Sequence, residues 1–514
     1  MSNIQHPSST TNVVQPAPRQ GAQRDGVLVS PECRLSERQV GLIDEASRGL
    51  LEEPGLLSYN RHAVELFEQA GAKVEEAGDC ARIRIPAKLI DQALESAPST
   101  VVLGAREPDN RLVLDATEPR VRFGSGAETN IWLDVQFEQG HAKYDRQAGS
   151  IARLAESAHL CDQLEHLDFF IRNVNIQDRD VTARNKDVNQ FITSLSHITK
   201  HVQAGLTDIE ALDEVVRLGQ IVAGGEDAFR AEPVLSFIAC VIKSPLQVVE
   251  DTADKLIAIA RSGVPLVISS CPMGGATGPF DEFGMVALIN AELLAGVTLH
   301  QLAAPGSPVL YGAVPVRTRL DNLNDMYAAA EFVHYNMDCA QMARHYKLPC
   351  YSTAGVGDTS LPGIQATVEK MLTHLMVPRA GAQYIHYAFG LLERTNVFCP
   401  EQAVLDDAHI GLVKRTLVDP AVNETTQAEV LAQVRDVMHS SHKTFMYHLP
   451  LPSRDNVYAQ YPLEDSEGGA LLAAQKRRLE LNDQPRKHLA ESVRRDLAEH
   501  IPGLLPATRD VCEL

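Results

Sequence analysis

Apolar residues first recur at helical spacing from Ser36 onward. In SERQVGLIDEASRGLLEE, Val40, Leu42, Ile43, Ala46 and Leu50 form one apolar face. Ser36 stands where an N-cap belongs, with Gln39 three residues later as its capping-box partner. A second helix, NRHAVELFEQAGAKV, stops at Gly71, and IPAKLIDQALESAP is a third segment opened and closed by proline. Residues 36–120 therefore read as an N-terminal helical cap. Residues 1–35 read as a disordered lead, because the opening is rich in Ser, Gln, Thr and Pro and lacks the basic start and apolar run of a signal peptide.

From Val121 the pattern changes to one repeated unit, a short apolar or β-branched run followed by a polar loop and an amphipathic helix. The predicted strands are VRFGSG, LDFFIRN, HVQAGL, PVLSFIACV, PLVISS, PVLYGA, PCYSTA and QYIHYA. Their helices include DRQAGSIARLAESAHLCDQL, DIEALDEVVRLGQIVAGG, PLQVVEDTADKLIAIARSG and TVEKMLTHLMVPRAG. Eight units in succession predict an α/β fold, a (β/α)8 TIM barrel over residues 121–400, with a doubly wound open sheet as the alternative. After about residue 400 the strand runs stop, and charged helical segments predict a C-terminal helical extension over residues 401–514.

Charge narrows the partners. With 47 basic and 67 acidic residues the formal net charge is −20, which repels phosphate backbones and anionic membrane surfaces. Neither nucleic acid nor a membrane is expected, and no apolar stretch is read as long enough to span one. Nine cysteines without regular spacing indicate neither a disulfide framework nor a zinc site, so a cytoplasmic protein with no bound metal is expected. Self-association stays open.

In a (β/α)8 barrel, chemistry gathers where the C-terminal ends of the strands meet their loops. That rule selects Glu128 and Asn130 after the first strand, Asn173 and Asn175 after the second, Gln203 after the third, and Lys243 after the fourth. It adds Ser269, Ser270 and Cys271 before the loop PMGGATGP, which holds Gly274 and Gly275, then Tyr311 and Arg317, then GVGDTS with Gly357 and Asp358, then His386 and Tyr387. No HExxH, GxSxG, Walker loop or dinucleotide fingerprint is present. The glycine-rich loops read as tight turns rather than phosphate cradles. Tyr311, Tyr351, Tyr387 and Phe389 can offer ring faces to a methylated ammonium, and Glu128 or Asp358 a negative charge. Each tyrosine and His386 has the plainer reading of a satisfied core residue.

Several long segments resemble the trimethylamine methyltransferase family. They include LLEEPGLLSYNRHAVELFEQAGAKVE, RFGSGAETNIWLD, VPLVISSCPMGGATGPF, INAELLAGVTLHQLAAPGSPVLYG and YKLPCYSTAGVGDTSLPGIQATVEKMLTHLMVPRAGAQYIHYAFGLLE. The resemblance implies a barrel that presents a methylated amine to the cobalt of a corrinoid (cobalamin) carried by a separate, cognate corrinoid protein. Gly357, Asp358 and His386 are then the expected catalytic residues. Glu128, Tyr311, Arg317, Tyr351 and Tyr387 are the expected substrate-binding residues, and Ser270, Gly274 and Gly275 the expected surface for the cofactor. Archaeal members that act on trimethylamine carry pyrrolysine in the segment matching Ala354–Ser360, where this sequence has ordinary residues and Gly357 at the matching point. That departure implies the branch acting on quaternary amines such as glycine betaine. For a betaine, Arg317, Lys243 or the amides of GVGDTS would meet the carboxylate. Two alternatives stay open, a barrel lyase or decarboxylase without a corrinoid, and a non-catalytic amine-binding protein.

Overall fold

The computed structural model describes residues 24–445 and 469–514. All eight predicted runs are strands, namely Arg120–Phe123, Phe169–Ile171, His201–Gly205, Leu235–Cys240, Leu266–Ser270, Val309–Ala313, Cys350–Thr353 and Tyr384–His386. They run parallel in the order first-eighth-seventh-sixth-fifth-fourth-third-second, with Val27–Leu28 added antiparallel beside the first, making one nine-stranded sheet. The sheet curls strongly. Gly124, just past the first strand, forms a parallel bridge with Phe169 of the second, and Asp168 N–H donates to Phe123 O at 2.7 Å. Inside the curl, Phe169, Ile171, Val267, Leu310, Tyr351 and Tyr384 pack as a separate apolar cluster, and 16 helices among the described residues surround and extend the sheet.

Helix ends follow the local chemistry. Ser36 and Gln39 form the capping box of Glu37–Glu52, and Gly224 and Gly263 close Leu212–Ala223 and Glu250–Ser262 in the left-handed conformation that suits glycine. Two predicted starts shift. The helix expected from Asp145 begins at Ile151, where Ser150 caps it, and the one expected from Pro245 begins at Glu250. Residues 145–148 instead belong to a long antiparallel hairpin, Ile131–Glu138 with His141–Ala148, inserted after the first strand.

Three expectations need correction. The cap is not purely helical, because its helices Glu37–Glu52, Arg61–Gln69 and Ala87–Ser96 alternate with five short strands, including the hairpins Lys73–Ala77/Cys80–Arg84 and Thr100–Leu103/Leu112–Asp115. The lead is ordered from Arg24, whose guanidinium meets buried Asp168 at 3.2 Å, while the lead before that lies outside the described residues. Finally, Glu282–Ala303 is long and apolar enough to cross a membrane, yet residues 285–301 are all buried. It packs between the fifth and sixth strands and the helices of the N-terminal region, so its apolarity all round follows from burial. The C-terminal extension is helical where described, as Pro400–Leu417, Glu424–His439, Gly469–Asn482, Glu491–His500 and Pro506–Cys512, and residues 446–468 lie outside the described residues.

Candidate active site

Alternation along the seventh and eighth strands turns Tyr351, Thr353, Tyr384 and His386 inward. Tyr384 stacks on Phe169 with centroids 3.5 Å apart, and Tyr351 lies 5.7 Å from Tyr384 and 4.2 Å from His386. The His386 ring is 3.6 Å from Tyr387, whose ring is in turn 6.4 Å from Tyr327. A continuous aromatic wall thus climbs from the sheet interior to its C-terminal rim. Tyr387 has φ 66°, an unusual backbone for a bulky residue, held by its N–H donating to Ser125 O at 3.2 Å. A side chain at Gly126 would place its Cβ 2.8 Å from Tyr387 Cδ1, so the absence of one there admits the ring.

The wall is electrically neutral. Burial pushes the pKa of His386 well below the ordinary histidine value and those of Tyr351 and Tyr387 upward. His386 Nε2 shares a 2.6 Å hydrogen bond with Thr353 Oγ1, while its Nδ1 is buried without a partner. Gln203 Nε2, Tyr384 Oη and Thr318 Oγ1 are also buried without partners. Orphaned polar atoms of this kind are completed in a working protein by ligand or water. Cys240 and Cys271 keep exposed surface, yet burial raises both pKa values, so both are thiols rather than thiolates. Cys240 is near enough to Tyr351 and Tyr387, and Cys271 to Tyr327 and Tyr387, for their charges to interact.

A family model described as "Trimethylamine methyltransferase (MTTB)" matches residues 19–448. The chain belongs to the trimethylamine methyltransferase family. It is 30% identical over 395 residues to trimethylamine methyltransferase MttB of Desulfitobacterium hafniense, covering 77% of each chain. Trimethylamine methyltransferase MttB1 of Methanosarcina mazei is 30% identical over 393 residues, with 75% of this chain and 76% of the relative covered. The glycine betaine methyltransferase of Desulfitobacterium hafniense strain Y51 is 26% identical over 388 residues, covering 76% of this chain and 78% of the relative.

Of the residues expected from the trimethylamine methyltransferase family resemblance, the structure brings together Tyr351, His386 and Tyr387. Tyr311 is turned the other way, because strand alternation sends it into the helical layer, where its hydroxyl donates to Asn290 Oδ1 at 2.8 Å. Phe389 is likewise buried in the main core. Glu128 is near the rim but fully engaged, with Lys186 Nζ at 2.7 Å, Arg172 Nη2 at 3.1 Å and Gln190 Nε2 at 3.0 Å. Burial alone would raise its pKa, but Arg172 and Lys186 hold it down to about 2. Asp358 accepts the backbone N–H groups of Tyr327 at 2.9 Å and Ala328 at 3.1 Å, so it fixes a neighbouring loop. Gly357 donates to Leu391 O at 3.2 Å, and a Cβ there would meet Leu392 Cδ2 at 3.2 Å.

The expected cofactor surface is differently employed. Ser270 donates to buried Glu292, which also takes Ser244 Oγ at 2.7 Å and Leu246 N–H at 3.0 Å. Gly274 O accepts Arg317 Nη1 at 3.0 Å, and the N–H groups from Gly275 to Gly278 bond within their own turn, to Gly278 O and Met273 O. The Ser270 hydroxyl and the Gly275 N–H are thus already engaged. Arg317 also lies over the Phe280 ring at 3.6 Å, outside the aromatic wall, and Lys243 is exposed. Sequence reasoning missed Tyr327, Thr353 and Thr318. The polar run TRLDNLNDMY reads as a loop, and nothing in its spacing signals that it folds back as paired strands, Val316–Thr318 with Asp325–Met326, carrying Tyr327 to the rim.

Proposed function

We propose that this chain moves a methyl group from a quaternary or tertiary methylated amine, with glycine betaine as the leading donor, to Co(I) of a separate corrinoid protein. The curled sheet is read as a (β/α)8 barrel, supported by eight parallel strands whose first and second members meet at the Gly124–Phe169 bridge. The observation that carries the functional reading is the neutral aromatic wall of Tyr351, His386, Tyr387 and Tyr327 at the rim, in a chain of this family.

The chemistry fits that wall. A fully methylated nitrogen accepts no hydrogen bond, so ring faces and neutral groups hold it, each face contributing about 0.5–2 kcal/mol. The corrinoid is the methyl acceptor, a second substrate that supplies a strong cobalt nucleophile, and this chain has only to orient the C–N bond and exclude water. A quaternary donor leaves as a neutral amine and needs no proton. His386, kept neutral by burial, suits a positioning role rather than that of a general acid. Gly357 stands at the matching point in place of pyrrolysine, which favours the branch without it.

The test is product analysis. Incubated with glycine betaine and a reduced corrinoid protein, the chain should release dimethylglycine, and Tyr387→Ala should slow release at least about tenfold. Absence of the matching demethylated product with every quaternary or tertiary amine tried would refute the reading.

A further inference from the structure

The carboxylates Glu128, Asp358 and Glu292 are each engaged. Glu128 is taken by Arg172, Lys186 and Gln190, Asp358 by two backbone amides, and Glu292 by Ser270, Ser244 and Leu246. Asp325 differs. It is half-buried on the short strand Asp325–Met326, and its side chain has no hydrogen-bond or ion-pair partner among the described residues. Burial raises its pKa, and Arg394, the cation that opposes this, lies beyond ion-pair distance.

Its direction follows from the ladder. Thr318 and Asp325 stand opposite each other across the antiparallel pair, as do Arg317 and Met326, so the two pairs project from opposite faces. Arg317 covers Phe280 on one face. Alternation gives Tyr327 the other face, shared with Asp325 and Thr318, and Tyr327 packs against Tyr387. Thr318 is only 2% exposed, and its hydroxyl is one of the orphaned atoms. An unpaired carboxylate and an unpaired buried hydroxyl therefore lie side by side on the face that reaches the aromatic wall. Groups withdrawn from water without partners are costly, and a bound cation would offset the charge of the carboxylate while the hydroxyl oxygen faces it.

We propose that Asp325, with Thr318 beside it, supplies the counter-charge for the ammonium group of the ligand and makes the site select a cationic head over a neutral one of the same shape. This rests on the reading that the aromatic wall takes a methylated amine. The ring faces already favour a trimethylammonium group over a tert-butyl group of the same shape, and the carboxylate adds to that preference.

The experiment is calorimetric titration of the full chain with choline and with its uncharged isostere, 3,3-dimethylbutan-1-ol. Wild type should bind choline at least about tenfold more tightly, and Asp325→Asn and Asp325→Ser should each lower that preference at least about threefold. Using two variants keeps the result readable if one fails to fold, and Asp325→Glu should recover part of the preference. An undiminished preference in either folded variant overturns the role of Asp325 and leaves the amine reading standing. Failure of the wild type to bind either probe overturns both.

Discussion

Asp358 accepts the backbone N–H of Tyr327 at 2.9 Å, so the loop after the seventh strand fixes the ring that flanks Tyr387. Asp358→Ala leaves the N–H groups of Tyr327 and Ala328 without this acceptor and should cost about 1–3 kcal/mol of stability. It should also weaken donor binding several-fold by loosening Tyr327. Denaturant unfolding and calorimetry on the same variant check both effects.

Tyr311 and Asn290 give a contrasting case. Tyr311→Phe removes a buried 2.8 Å hydrogen bond and should destabilise the chain by about 1–3 kcal/mol while leaving donor affinity unchanged. A large rise in KM without loss of stability would return Tyr311 to the binding wall.

Because burial holds His386 neutral, the rate should show no ionisation of this ring near neutral pH. The pH profile of kcat/KM should keep its shape in His386→Asn while its height falls. Disappearance of a limb between about pH 6 and 8 in that variant would make His386 a proton carrier instead.

Glu128 should make stability depend on acid. Its folded pKa is depressed to about 2, so its stabilisation is complete above the ordinary carboxylate value and is lost as pH falls from about 4.5 toward 2. Glu128→Gln should therefore be about 2–3 kcal/mol less stable near neutral pH, with the gap to wild type closing from about pH 5 to about pH 2. Urea unfolding across that range measures it.

The eight strands were legible because buried parallel strands read as continuous apolar runs between loop signals. The five short strands of the N-terminal region and the hairpin Ile131–Glu138/His141–Ala148 were not, since they are half-exposed and mixed with polar residues such as Lys73, Glu75 and Asp145. Strand ends located Tyr351, His386 and Tyr387 correctly as neighbours. Side-chain direction decided the rest. Tyr311 sits on a strand buried on both faces, where no polar alternation tells inward from outward, and Ser270 turns to Glu292, a partner 22 residues away. Asp325 and Thr318 come together only through a ladder that the sequence does not announce.

The decisive measurement is a single-turnover visible spectrum of a partner corrinoid protein reduced to Co(I), mixed with this chain and glycine betaine. Loss of the Co(I) band, matched mole for mole by dimethylglycine and slowed in Tyr387→Ala, is the predicted result. A Co(I) spectrum unchanged by every quaternary or tertiary amine, although the chain binds choline, would contradict methyl transfer and leave only an amine-binding protein.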